Sequence, residues 1–387
     1  MRRLELKGIT WNHSRAFPPL VATAQRFTEM NSDVRIHWDK RSLHEFGHSG
    51  LPGLAQQFDL IVVDHPMMGA AAVEGVLLDL RPLLGEEQWK DLAEDSTGAS
   101  FDSYLYEGKL FALPIDAAAP ASSLRPDLLS ARGHSAPESW SEILELACRG
   151  LVRMPGFPAD LFLNFMGICV SRGSPIAMGE DMLFSRSVAI QALGDLRELA
   201  SWMPDEIYDW NPITLYEHMC STDEFAYCPF AYTYSNYSRS GFAVKRIRFA
   251  DTVALAVGVP MRTILGGTGL AISKSCAIPD IALEYSLYVS GRICQGSLYG
   301  VCGGQPSRRS AWEDEELNRL TDGFFKRTLP SIQRAFVRPR YPGYVSLQEV
   351  AGLPIAKYLR EGGSAELTMD EIDSAYRGSL TPGRRHD

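Results

Sequence analysis

The chain has 387 residues, 45% hydrophobic and 22% charged, with a formal net charge of −9. That length exceeds one ordinary core and predicts two domains of comparable size, and the composition is that of a globular protein rather than a disordered or fibrous one. The acidic balance, with Lys245–Arg248 as its densest basic cluster, excludes the basic face that a nucleic-acid partner requires.

Apolar runs such as Leu60–Val63 and Val253–Val259 are strand-sized, far short of the ~20 residues that a membrane-crossing helix needs. Met1–Arg3 is followed by Leu4-Glu5-Leu6-Lys7, not by the apolar core of a secretory leader. Seven cysteines without paired spacing read as reduced, buried thiols. These features predict a cytoplasmic protein as the chain stands, and a periplasmic one if a leader has been removed.

In chain order, Leu6–Trp11 reads as a strand, Pro18–Met30 as a helix, Val34–Trp38 as an alternating strand, and Phe58–Val63 as a strand buried on both faces. This β-α-β spacing predicts an α/β fold with doubly wound sheets. Phe101–Pro114 reads as a pair of strands, after which the chain crosses into a second lobe. Pro137–Cys148, capped by Ser139 or Ser141, Leu161–Arg172 and Ser187–Met203 read as helices. Phe225–Tyr237 reads as a strand with an aromatic loop, and Ile247–Leu255 as the return to the first lobe. The strand Leu270–Ser273 and the helix from Pro279–Asp280 follow, and Gln305-Pro306 is the last crossing. Phe324–Arg334, Leu347–Leu359 and Ala365–Ser379 are the closing helices, with Thr381–Asp387 a frayed end.

In doubly wound sheets ligands sit at the carboxyl ends of strands, where strand order reverses. That rule selects two loops. Trp11, Asn12, His13, Ser14 and Arg15 follow the first strand and offer a stacking surface, an amide, an imidazole, a hydroxyl and a guanidinium beside a helix start; Asn12 or Ser14 equally suits capping that helix. Asp64 and His65 end the third strand, where a carboxylate can accept from ligand hydroxyls or an ammonium, cap the next helix, or orient His13 or His65. Neither histidine has a metal-type spacing, and no cofactor motif is found.

Two stretches, YEGKLFALPIDAAAPASSLRPDLL (106–129) and GGTGLAISKSCAIPDIALEYSLYVSG (266–291), at this separation, resemble the family 1 extracellular solute-binding proteins of ABC importers, which have the type II periplasmic-binding-protein fold. The resemblance runs from Ile9 to about Tyr376. It implies two α/β lobes joined by a hinge: residues 1–114 with 251–303, and 115–250 with 304–387. It also implies that the lobes close on a small polar ligand, a sugar or a small carboxylate or amine metabolite, with an ABC permease as partner and a monomer as the usual state. Asp116 would then lie on the cleft floor. Tyr232 and Tyr234, with Tyr227, Tyr237 and Trp210, would offer the aromatic faces with which sugar-binding members grip pyranose rings. Gly267 and Thr268, in Gly266–Gly269, would bring backbone N–H groups and a hydroxyl to the ligand. Arg338, in Arg338-Pro339-Arg340-Tyr341, would reach an anionic group or form an ion pair. The alternatives are a cytoplasmic ligand sensor, or a clamp-fold enzyme like the thiaminase-type transferases, with Cys228 or Cys302 as a cleft nucleophile.

Overall fold

A computed structural model describes residues 4–48, 50–256 and 259–380; the expected frayed end at 381–387 lies outside them. The first lobe opens with β1 (Leu4–Trp11), α1 (Phe17–Met30), β2 (Val34–Arg41) and β3 (Leu60–Val63). β1 runs parallel to both β2 and β3, as a helical crossover requires. All four residues of β3 are fully buried, which is why its sequence is an unbroken apolar run.

The chain then forms β4 (Leu113–Ala118) and β5 (Pro120–Leu124), α2 (Pro158–Ser171), α3 (Pro212–Ser221), β6 (Tyr227–Tyr232), β7 (Arg248–Ala250) and β8 (Gly266–Ile272). The first sheet has the order β2-β1-β3-β8-β4, with β8 antiparallel to both neighbours. The second lobe is richer in helix, and its sheet, β6-β5-β7, is antiparallel throughout. α2 buries ten consecutive residues, Leu161–Val170, and so forms the axis of the second lobe rather than a surface element.

Two cores follow this division. One gathers Leu6, Trp11, Phe27, Val62, Leu113, Leu270 and Tyr285; the other gathers Ala117, Phe165, Tyr216, Phe249, Trp312 and Tyr376. The segment after Ile247 differs from expectation. Instead of returning to the first lobe, Arg248–Ala250 pairs with Ser122–Leu124, and Phe249 packs edge-on against Tyr216 and Phe324. Met261, Ile264 and Leu265 also belong to the second core, so the chain returns at Gly266 rather than at 251. The expected strand pair over 101–114 is a short helix, Ser100–Ser103, followed by the hairpin Leu105–Tyr106 and Lys109–Leu110.

The lobes are stitched together where the chain passes between them. Gly266–Thr268 pairs with Asp116–Ala118. Gln305 donates to the Ala117 carbonyl (2.8 Å) and accepts from the Ser235 N–H (3.1 Å). Ser307 donates to the Pro114 carbonyl (2.7 Å). No described helix is long and apolar enough to cross a membrane.

Candidate functional site

β1, β3 and β4 end, and β8 begins, at one cavity of about 360 Å³ between the lobes, within the range of small-molecule sites. Trp11, Phe46 and Asp64 face it from the first lobe, and Thr268 from the strands of its floor. Asp160, Tyr232, Tyr234 and Arg338 face it from the second.

The glycines of the floor have identifiable tasks. Tyr232 packs its ring against the Gly266 backbone, where a Cβ would come within 2.5 Å of a ring carbon. Gly267 has φ +113°, and a Cβ there would collide with the Asp116 carbonyl. A side chain is thus excluded by space at Gly266 and by both conformation and space at Gly267.

The ion pairs are internal to the protein. Arg15 donates from Nε to Asp116 Oδ2 (2.8 Å), forms a second, shorter contact from Nη2 to Oδ1, and donates from Nη1 to the Thr233 carbonyl (2.8 Å). Its guanidinium carbon lies 4.9 Å from the Tyr234 ring centre. Burial works against the Arg15 charge, but the Asp116 carboxylate outweighs it and raises the guanidinium pKa further. Arg338 donates from Nη2 to both oxygens of Asp64, each at 2.7 Å, and from Nη1 to Gln348 at 3.0 Å. Burial would raise the Asp64 carboxyl; the Arg338 charge and the hydrogen bond from His65 instead hold it at about 2. Asp64–Arg338 joins one lobe to the other.

Several polar groups at the cavity lack such a partner. Among the described residues, Trp11 Nε1, Thr268 Oγ1 and Arg338 Nε are buried without a hydrogen bond, a condition that costs stability unless something fills it. Asp160, in the first turn of α2, makes no ion pair among the described residues, and burial alone pushes its carboxyl up to about 7. Tyr234 is pushed up to about 12 by burial, so its hydroxyl remains a protonated donor.

Of the residues singled out in the sequence, Trp11, Arg15, Asp64, Tyr232, Tyr234, Gly267, Thr268 and Arg338 line the cavity. The others serve the surrounding structure. Asn12 is exposed and Ser14 half-buried, and neither caps α1, whose N-cap is Ala16 without a side-chain bond. His13 accepts the Arg15 N–H (2.9 Å) and packs edge-on against Tyr234; burial and the Arg15 charge lower its pKa to about 4. His65 is fully buried behind Asp64. Burial and the Arg338 charge hold its imidazole neutral, with a pKa of about 4. Asp116 lies under the floor, fully engaged by Arg15. Tyr227 and Tyr237 are core residues, and Trp210 stacks on His218.

Sequence reasoning missed Phe157, Asp160, Asn211 and Gln348 at the cavity. The first three stand at the starts of α2 and α3, both marked by proline in the first turn, with Asn211 accepting the Thr214 N–H as a cap (3.0 Å). The Phe-Pro and Asn-Pro pairs were the available signal.

The cysteines do not form a cleft nucleophile. Neither Cys228 nor Cys302 lines the cavity; Cys228 lies in the second core, its thiol pushed up to about 12 by burial. Cys148 is exposed, Cys302 intermediate and the other five buried. Alkylation of the native protein is therefore expected to label Cys148 rapidly and Cys302 slowly, leaving solute binding intact. Peptide mapping checks this, and binding lost in step with Cys302 labelling would contradict it.

A family model described as bacterial extracellular solute-binding protein matches residues 22–322. Maltose-bound MalE3 of T. maritima has a TM-score of 0.83 at 17% identity, covering 97% of this chain and 99% of that one. A solute-binding protein of an ABC transporter from Agrobacterium radiobacter K84, in complex with ribitol, gives 0.80 at 18%, covering 97% and 98%. The GacH receptor of Streptomyces glaucescens GLA.O, solved unliganded and with acarbose, gives 0.80 at 17%, covering 99% and 100%. A search of curated proteins returns no match. At these identities the likeness to solved structures is one of fold.

Proposed function

Because the chain belongs to the bacterial extracellular solute-binding protein family, which the match over 22–322 establishes, we propose that it is the sugar- or polyol-binding component of an ABC importer. In this reading it acts outside the cytoplasmic membrane as a monomer, delivers its solute to a permease, and catalyses no reaction. The observation that carries the reading is the cavity itself. It combines aromatic surfaces at Trp11, Phe46, Tyr232 and Tyr234 with the unpartnered Trp11 N–H and Thr268 hydroxyl and with carboxylates at Asp64 and Asp160. Sugars have apolar ring faces bordered by hydroxyls, and a site of this composition matches both parts. The maltose, ribitol and acarbose complexes of proteins with this fold support the same class of solute.

Native mass spectrometry of protein purified without added solute tests the reading. A retained mass equal to a mono- or oligosaccharide, or to a polyol, is the expected result. A retained peptide, lipid or nucleotide would overturn it.

Thr268 offers a finer check. Thr268→Val keeps the shape and removes a buried hydroxyl that has no partner. The variant is expected to stabilise the solute-free protein by about 1 kcal/mol, because the unpaired group no longer has to be desolvated. It should weaken sugar binding by about tenfold, the loss of one hydrogen bond in a dry site. Thermal melting with and without solute reads both signs, and an affinity unchanged by the substitution would take Thr268 out of the site.

A further inference from the structure

Among the described residues, both arginines at the cavity are matched by carboxylates, but not all of its carboxylates are matched by cations. Arg15 is matched by Asp116 and Arg338 by Asp64. Asp160 stands opposite no cation: among the described residues it makes neither an ion pair nor a side-chain hydrogen bond, although it lines the cavity. Asp209, exposed at the mouth, adds a second carboxylate that makes no ion pair among the described residues. Burial is what acts on the Asp160 carboxyl, and its charge is felt in turn by Tyr232 at the end of β6 and by Tyr234 in the loop beyond it.

We infer that the transported solute carries an ammonium group, received by Asp160 in the aromatic part of the cavity beside Tyr232 and Tyr234. This deepens the sugar-binding reading and rests on it, specifying an amino sugar or aminated polyol rather than a neutral one. The physical argument has three parts. A half-buried carboxylate without a partner is costly in the empty site and gains most from a ligand that brings the missing charge. The ring faces of tyrosine and tryptophan, negative at their centres, favour a cation over a neutral group of the same size. The arginines that could attract an anionic solute are already held by Asp116 and Asp64, so the free charge of the cavity is negative. Burial pushes the Asp160 carboxyl up to about 7, and an ammonium ligand would bind its ionised form. Acidification should therefore weaken binding as Asp160 takes up a proton. A neutral sugar accepting a hydrogen bond from protonated Asp160 would show the opposite trend.

Calorimetric titration of the full chain with matched neutral and amino solutes tests this: glucose against glucosamine, and cellobiose against the chitosan disaccharide, its counterpart with an amino group in place of the C2 hydroxyl of each ring. At about pH 7 the amino member of at least one pair is expected to bind some tenfold more tightly, the scale of one charge-assisted hydrogen bond in a desolvated site. That preference should shrink on moving to about pH 5.5, where Asp160 is protonated and the amine remains charged. Asp160→Asn should bring the two members of the pair to within about twofold of each other, the scale of an uncharged contact, with the melting temperature of the solute-free variant reporting that it folds. A neutral sugar binding as tightly as its amino partner, or more tightly at acid pH, would overturn the ammonium inference and leave the sugar reading standing. No binding by any member of either class would count against both.

Discussion

Asp116→Ala is expected to lower the unfolding free energy by about 3–5 kcal/mol, the cost of leaving a buried charge without its counter-charge. The side chains of Asp116 and Arg15 are almost fully buried, so water cannot replace what is removed. Arg15 also donates to the Thr233 carbonyl, on the opposite side of the hinge from its own loop after β1. The damage should therefore reach both lobes rather than loosen one. A second substitution separates the worth of the pair from the cost of breaking it. Asp116→Ala with Arg15→Met removes both charges, and more than half of the lost stability should return, since buried pairs replaced by apolar groups are often close to neutral. Urea denaturation of the two single variants and the double variant measures this. A loss below about 1 kcal/mol in Asp116→Ala, the size of an exposed pair, would mean that the guanidinium finds other partners or water.

Removing the Arg338 side chain is expected to change shape more than stability. Asp64 keeps 23% side-chain exposure, so its carboxylate can rehydrate, and Arg338→Ala should cost only about 1–3 kcal/mol. The ion pair between Asp64 and Arg338 spans the cavity, however, and holds the lobes together without a solute. Arg340 reinforces it by donating to the Ser103 carbonyl at 3.2 Å, with a shorter bond to the Asp102 carbonyl at 2.8 Å. Arg338→Ala combined with Arg340→Ala should shift the solute-free protein toward an open form and increase its radius of gyration in solution scattering. Solute affinity should fall as well, because binding must then supply the free energy of closure. An unchanged scattering profile would place the restraint elsewhere. The pH dependence follows from Asp64. Its carboxyl is depressed to about 2, so the pair contributes fully above the ordinary carboxylate range and is lost only as pH falls through about 2. Wild-type scattering should accordingly be the same at about pH 5 and pH 8, a window in which ordinary carboxylates stay ionised.

The fold was legible where local pattern and topology agree. Leu60–Val63 could only be an interior strand, and Gly266–Gly269 marked the floor because glycine there serves backbone approach. What escaped is tertiary in origin. Nothing local to Ile247–Leu255 says which sheet it joins; Phe249 decides that by packing against Tyr216 and Phe324, which are near it only after folding. Arg15 and Asp116 are 101 residues apart, and both carried ligand-binding chemistry in sequence until the structure showed them spent on each other. His65 shared that ambiguity, and burial behind Asp64 resolves it. Asp160 was invisible for the converse reason: an acid in the first turn of a helix is ordinary, and only the opposing lobe makes it a carboxylate without a partner.

The position of β8 has a consequence for how the molecule is made. It lies between β3 and β4 in the first sheet, although it comes after all three strands of the second-lobe sheet in the chain. While a ribosome is still translating residue 250, β3 has no neighbour on that side, and the first core lacks Leu270 and Tyr285. The second core in turn waits for Trp312 and Tyr376. Neither lobe can finish folding as a nascent amino-terminal piece, and at synthesis rates of about 5–20 residues per second the unfinished strand edges stay exposed for many seconds. A prematurely terminated product would contain two incomplete lobes rather than one complete lobe and one missing.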